Sequence, residues 1–142
     1  MSKQSTVVGI GEALWDMLPE GKQMGGAPAN FAYHASQFGC DSYVVSAVGE
    51  DAVWGRPFFR GNGGADYREH DDPGREIIAK YHDKRLKHVI ATVPYPTGTV
   101  EVELDTKGVP CYNIKENVAW DNIPYTAELE ALAQRTQAVC FG

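Results

Sequence analysis

The spacing of apolar residues predicts alternating strands and helices in the first third of the chain. Thr6 to Ile10 (TVVGI) is a short β-branched run, typical of a strand buried on both faces, and a loop follows it. Ala27 to Phe38 has apolar residues at helical spacing, with Pro28 near its start and Gly39 at its end. Asp41 to Val48 returns to strand chemistry. This β, α, β order predicts an α/β layer with a parallel sheet.

The same alternation returns further along the chain. Asp72 is placed as the N-cap of a helix from about Pro73 to Arg85, which leads into a strand from His88 to Val93. Near the end of the sequence, Thr126 caps a predicted helix over Ala127 to Ala133, and Gln137 to Phe141 forms one more apolar strand. These segments extend the predicted parallel sheet.

Between them lies a segment with a period of two. Val100, Val102 and Leu104 alternate with polar residues from Thr97 to Leu104, and a turn joins this run to Val109 to Ile114. The pattern predicts an antiparallel hairpin with one wet face. Such a hairpin is an appendage to a parallel sheet, and appendages of this kind often cover a ligand site.

The stretch from about Ala52 to Asp71 fits neither period. It contains four glycines and four aromatic residues with no matching apolar pattern. A disordered or surface insertion, a partner-binding loop, and a metal or phosphate role are all open for it, the first being favoured. Its GNGGAD run does not follow a strand and open a helix, as a phosphate-binding loop requires.

Composition and charge narrow the function. The chain has 142 residues, 43% of them hydrophobic, and a net charge of −6, which suits one globular domain and disfavours nucleic acid or an anionic membrane as partner. No apolar run approaches the roughly 20 residues that span a bilayer, and no signal peptide is evident, so we expect a cytoplasmic protein. Cys40, Cys111 and Cys140 show no CxxC spacing and are expected to be buried thiols.

The residues best suited to chemistry surround the start of the first helix. In MGGAPAN, Gly25 and Gly26 allow close approach of a backbone to a ligand, and Asn30 can donate and accept hydrogen bonds. Asp16 follows the first strand and can accept hydrogen bonds from two vicinal hydroxyls. Together these groups suit a polyhydroxylated ligand such as a sugar. The alternative is structural: a glycine turn, a solvated Asn30, and a turn or cap role for Asp16.

Several blocks of sequence, in order, resemble the ribokinase-like (PfkB) carbohydrate kinases, and among them the bacterial fructokinases. The similar blocks are VVGIGEALWDMLP, GGAPANFAYHASQFG, VVSAVGED, GREII, PTGTVEVELDTKGVPCYNI and NVAWDNIP. The resemblance implies an α/β, ribokinase-like fold with a parallel sheet, flanking helices and a small β-sheet lid. The lid would comprise residues of about 12–24 and 97–118.

The resemblance also implies a sugar site. The substrate-binding positions it transfers to this chain are Asp16, Gly25, Gly26 and Asn30, with Val100 and Val102 as candidates for the sugar-facing side of the lid. ATP and Mg²⁺ would be the cofactors of the complete enzyme. Trp15 and Trp120 flank the region and could stack on a sugar, although packing in the core or lid is favoured.

Two departures from the family pattern stand out. Members are roughly twice as long, and their catalytic base, an aspartate in a DTxGAGD-like motif, lies in a C-terminal half that is absent here together with the ATP site. We therefore assign no catalytic residue and expect the chain alone to be inactive. Residues 52–71 are interpreted as an insertion between GED and the following helix.

These observations predict a partial sugar-binding domain over residues 1–142 of a fructokinase-like PfkB kinase, which transfers a phosphoryl group from ATP to a sugar hydroxyl. A non-catalytic sugar-binding module, or an interaction module derived from such a kinase, is the alternative. The expected partner is a small sugar, fructose or a related hexose or pentose. Self-association is expected through the lid, as a homodimer, or through an exposed sheet edge.

Overall fold

The computed structural model describes residues 4–50 and 72–142, so the predicted insertion at 52–71 lies outside the described residues. Eight strands occur in the described ranges: β1 Thr6–Ile10, β2 Leu14–Leu18, β3 Gly21–Gly25, β4 Asp41–Gly49, β5 Lys87–Val93, β6 Gly98–Leu104, β7 Pro110–Ile114 and β8 Ala138–Phe141. The helices there are α1 Ala27–Gln37, α2 Asp72–Asp83 and α3 Ala127–Arg135, with a 3₁₀ helix at Ala119–Asn122.

The main sheet has four strands in the order β5-β4-β1-β8, and every neighbouring pair is parallel. Its central strand β4 is almost entirely buried, as its apolar sequence predicts for a strand covered on both faces. The predicted parallel α/β sheet is therefore confirmed.

Helices cover both faces of this sheet. Val44 of β4 belongs to a cluster with Ala32 of α1 and Ile77 of α2, whereas the next residue, Val45, packs with Leu132 of α3. Successive strand residues point to opposite faces, so the two clusters lie on opposite sides of the sheet. The molecule thus has three layers, with the main sheet in the middle.

A second sheet, which we call the small sheet, has the strand order β3-β2-β6-β7. The hairpin β6-β7 is antiparallel as predicted, and it pairs with β2 rather than with the main sheet. The apolar pattern alone placed a loop after β1, but this segment forms β2 and β3, which pair antiparallel. A second small sheet, which the family resemblance implies for these segments, is therefore present.

Helix ends differ from prediction by a few residues, for local reasons. The second helix begins at Asp72 and ends at Asp83, two residues earlier than expected, because Arg85 adopts a left-handed conformation with φ 52°. The predicted cap of α3 is confirmed, since the Thr126 Oγ1 accepts a hydrogen bond from the Leu129 backbone N–H at 3.1 Å.

The three cysteines are free thiols, but the expectation that they are buried is wrong. Cys40 and Cys140 are half-buried, and Cys111 is exposed. Cys111 faces solvent because β7 is the edge strand of the small sheet. Within the described ranges, no helix combines the length and apolarity needed to cross a membrane.

Candidate functional site

Asp16 and Gly25 lie against each other on the small sheet. Asp16 is in β2 and Gly25 ends the neighbouring strand β3. A Cβ at Gly25 would overlap Oδ2 of Asp16 and lie 2.9 Å from its Cγ. The carboxylate therefore occupies the space that a side chain at position 25 would fill, so any other residue there would displace the Asp16 carboxylate.

The Asp16 carboxylate is half-buried and has no hydrogen-bond donor or ion-pair partner among the described residues. Burial raises the pKa of this carboxyl above its ordinary value. Removing an acceptor from water without a partner is unfavourable unless a ligand supplies the missing donors. Asp16 is thus suited to accept hydrogen bonds from a bound hydroxyl compound.

The Gly25-Gly26 turn is held by Glu12, a residue that sequence reasoning did not single out. Gly26 has φ 119°, and a Cβ there would overlap the Glu12 carbonyl oxygen. The Glu12 side chain accepts from the backbone N–H of Ala27, in the first turn of α1, at 3.4 Å. A carboxylate beside a helix N-terminus is favourable. The sequence feature that could have indicated this contact is the position of Glu12, an acidic residue between β1 and α1. The N-terminus of α1 has no side-chain cap of its own.

Asn30 lies one turn into α1, and its backbone N–H donates to the Gly26 carbonyl at 3.2 Å. Its side chain is exposed and lines a hollow shared with Trp15 and Lys22. No hydrogen bond joins this side chain to Asp16 in the described part of the chain. The structure therefore brings Asp16, Gly25 and Gly26 together, and the Asn30 side chain forms no hydrogen bond with the Asp16 carboxylate.

Val100 and Val102 share a face of the small sheet with Asp16. Val100 is paired directly with Asp16 in the parallel β2-β6 register, and Val102 follows two residues later. Both valines are about 5% exposed and cluster with Leu14 and Leu18. They form an apolar floor beside the carboxylate.

The two tryptophans have different environments. Trp15 is buried in the core, and its indole Nε1–H donates to the Pro73 carbonyl at 3.0 Å, so packing is its role. Trp120, in the 3₁₀ helix, is half-buried and lies over Gly98, where a Cβ would be 2.8 Å from the indole nitrogen. Gly98 and Gly25 both pair with Leu14, so Trp120 and Asp16 lie over the same face of the small sheet.

Comparison with known proteins identifies the architecture. No family model matches the chain, and a search of curated proteins also finds no match. Among solved structures it is similar to fructokinase from Xylella fastidiosa with bound ATP, with TM-score 0.67 and 21% identity over 98% of this chain. The chain has the ribokinase-like fold. The expected fold class is thereby confirmed.

Two further structures agree with this fold. Apo fructokinase from Vibrio cholerae O395 matches 83% of this chain with 24% identity and TM-score 0.59. Ribokinase from Giardia lamblia matches 99% of it with 18% identity and TM-score 0.63. The chain spans between 36% and 42% of the length of these three structures.

Proposed function

We propose that this chain supplies the sugar-binding part and the lid of a PfkB-type carbohydrate kinase, fructokinase-like in its substrate. The observation that carries the proposal is the half-buried Asp16 carboxylate, which lies against Gly25 on the small sheet and receives no hydrogen bond from the residues that the structure describes. The fold, shared with fructokinases and a ribokinase, supports the same function.

Each residue of the site has a distinct role in this proposal. Asp16 accepts hydrogen bonds from two vicinal sugar hydroxyls, and the charge of the carboxylate strengthens both bonds. Gly25 and Gly26 let backbone groups approach the sugar closely. Asn30 reaches the sugar by a change of side-chain rotamer, which its exposure permits.

The small sheet acts as a lid over the sugar. Val100 and Val102 form an apolar surface beside Asp16. When the small sheet closes over the sugar, this surface excludes water from the sugar hydroxyl. Exclusion of water favours phosphoryl transfer to the sugar over hydrolysis. The exposed Tyr112 and Ile114 lie on this same face and extend it towards the sheet edge.

The complete enzyme would use ATP with Mg²⁺, in keeping with the neighbour whose structure holds ATP. Among the described residues, no three His, Cys, Asp or Glu side chains are grouped as a metal site, so none is assigned to Mg²⁺. The catalytic base of the proposed kinase belongs to a glycine-rich motif that this sequence does not contain. The proposed location is the cytoplasm.

A coupled assay of ADP formation tests whether this chain binds the sugar without supplying the catalytic base. The purified chain is mixed with ATP and Mg²⁺, with fructose or ribose as acceptor. We expect no sugar-dependent ADP formation from a sample whose circular dichroism shows it to be folded, because the base is not in this chain. Turnover that co-purifies with the chain and disappears in Asp16→Ala would show that these 142 residues contain the catalytic groups.

A further inference from the structure

A hollow of about 340 Å³ lies between β3, α1 and the C-terminal part of α2. We call it the lysine hollow. Among the described residues, three lysines and the amide of Asn30 line it with polar groups, and the indole of Trp15 contributes to its apolar floor. The polar lining side chains are Lys22, Asn30, Lys80 and Lys84.

The hollow carries an excess of positive charge. Glu76 pairs with Lys22, with their side-chain atoms Oε2 and Nζ 2.5 Å apart. Lys80 has no ion pair or ring contact among the described residues, and Lys84 lies 4.7 Å from the centroid of the Tyr33 ring. In the described part of the chain, the three ammonium groups of the hollow face one paired carboxylate, which leaves an excess of two positive charges in a chain whose net charge is −6.

Repulsion between the lysine side chains at the end of α2 destabilises the helix, and a bound anion would reduce this repulsion. Lys80 and Lys84 are four residues apart at the end of α2, and the backbone N–H of Lys84 donates to the Lys80 carbonyl at 3.1 Å. They therefore project on the same side, where like charges destabilise a helix. Two of the ammonium groups make cation–π contacts. Lys84 lies over the Tyr33 ring, and the Lys22 Nζ lies 4.8 Å from the centroid of the Trp15 ring.

We propose that the lysine hollow binds a small phosphate-bearing anion. A phosphate group carries about −1.5 to −2 charges at neutral pH, which matches the local excess. Lysine ammoniums bind phosphate as point charges, and the amide of Asn30 supplies a further donor to its oxygens. The hollow is large enough for an organic body beside the phosphate, resting on the apolar floor.

This site is separate from the proposed sugar site. Trp15 and Asp16 are consecutive residues of β2, so their side chains point to opposite faces of the small sheet. Trp15 lines the lysine hollow, and Asp16 faces the apolar floor of Val100. Asn30 is the one residue named for both sites, and the test therefore leaves it unchanged.

Inorganic pyrophosphate is the probe, and its binding is measured by isothermal titration calorimetry at low ionic strength without Mg²⁺. The variant is Lys80→Gln/Lys84→Gln. The control is Lys107→Gln/Lys115→Gln. It removes one exposed lysine from the β6-β7 turn and one that directly follows β7, so it changes the net charge by the same amount as the variant. Circular dichroism confirms that both variants are folded.

We expect the first variant to bind pyrophosphate at least about tenfold more weakly than the wild type, and the control to change by less than about twofold. Wild-type binding should also weaken as salt is added. Equal losses in the two variants would mean that net charge alone attracts the anion, and would overturn the proposal. So would unchanged affinity in Lys80→Gln/Lys84→Gln, or no binding by the wild type. None of these results depends on whether the chain binds a sugar.

Discussion

At the scale of single residues, the proposed binding role of Asp16 comes with a cost in folding stability at neutral pH. Burial raises the pKa of its carboxyl from 3.8, so the folded state holds the proton more tightly than the unfolded chain. The contribution of this group to stability is therefore greatest below pH 3.8 and is lost as the pH rises through the folded pKa.

Asp16→Asn should therefore be at least as stable as the wild type at pH 7 while binding the proposed sugar more weakly. The amide removes the charge that burial disfavours and keeps the size of the side chain. Urea unfolding at several pH values checks this, with Glu103→Gln on the opposite face of the small sheet as a matched charge removal. A clear loss of stability at neutral pH in Asp16→Asn alone would indicate a structural role.

Tyr81 gives a second test of the described core. It is fully buried in α2, and its hydroxyl has no hydrogen-bond partner among the described residues. Burial also raises the pKa of this hydroxyl, because the phenolate would be desolvated. Tyr81→Phe removes an unsatisfied polar atom and should stabilise the fold by about 1 kcal/mol.

Urea unfolding measures that change, and Tyr125→Phe, at an exposed tyrosine, is the control that should leave stability unaltered. Destabilisation by Tyr81→Phe would show that the hydroxyl has a partner, in conflict with the described packing.

At the scale of secondary-structure elements, Asp41 joins the starts of neighbouring strands. Its carboxylate accepts from Lys87 of β5 at 2.6 Å and from Arg135 of α3 at 3.2 Å. Burial alone would raise the pKa of Asp41, but the hydrogen bonds and charges of Lys87 and Arg135 outweigh it and lower the pKa. The stability from Asp41 is thus present above its unfolded pKa and is lost as the pH falls through the folded value.

Asp41→Asn should lower stability by about 1 kcal/mol at neutral pH, a modest figure because both basic partners are half exposed to solvent. The difference from the wild type should shrink as the pH falls below 3.8, where the unfolded carboxyl becomes protonated, and vanish below the lowered folded pKa, where the folded carboxyl is protonated too. Thermal unfolding at pH 7 and pH 3 measures it. A difference that is constant with pH would mean that the ion pairs contribute nothing.

The sequence pattern predicted the elements of the main sheet because their apolar residues are β-branched and continuous, as in β1 and β4. It missed β2 and β3 for physical reasons. In LWDML both faces carry large apolar side chains, so no alternation is visible, and GKQMG contains a single apolar side chain. These strands are held by pairing with each other and with β6 rather than by burial of a regular face.

The candidate site was predictable only in part, for similar reasons. The types and spacing of Asp16, Gly25 and Gly26 suggested a ligand, and the structure brings these three together. The lysine hollow could not be predicted, because Lys22 and Lys80 are far apart in sequence and meet only through tertiary packing. The contact of Glu12 with α1 also depends on how β1 and the helix are placed.

At the scale of the whole molecule, one face of the main sheet is incompletely covered. Strand β8 pairs only with β1 among the described strands, and Val139 and Phe141 on it are 56% and 80% exposed. Beside it, a groove of about 380 Å³ is lined by apolar side chains of β1 and α3, among them Ile10 and Leu129. An open strand edge next to an apolar groove favours association.

We therefore expect concentration-dependent self-association, measured by size-exclusion chromatography with light scattering. Val139→Lys should reduce it if the contact forms at the β8 edge, because lysine on an edge strand opposes pairing. Ile114→Lys, at an exposed position of β7, should reduce it if the small sheet forms the contact. A monomer at all concentrations, with little binding of an apolar dye, would contradict this prediction.

The central claim is that Asp16 binds a sugar on the small sheet, and calorimetric titration of the folded chain with fructose, and then ribose, tests it most directly. We predict binding of at least one of these sugars, about 10- to 100-fold weaker in Asp16→Asn because a charge-assisted hydrogen bond is lost, and unchanged in Glu103→Gln. If neither sugar binds the wild type, or if Asp16→Asn binds as tightly as the wild type, the claim is contradicted.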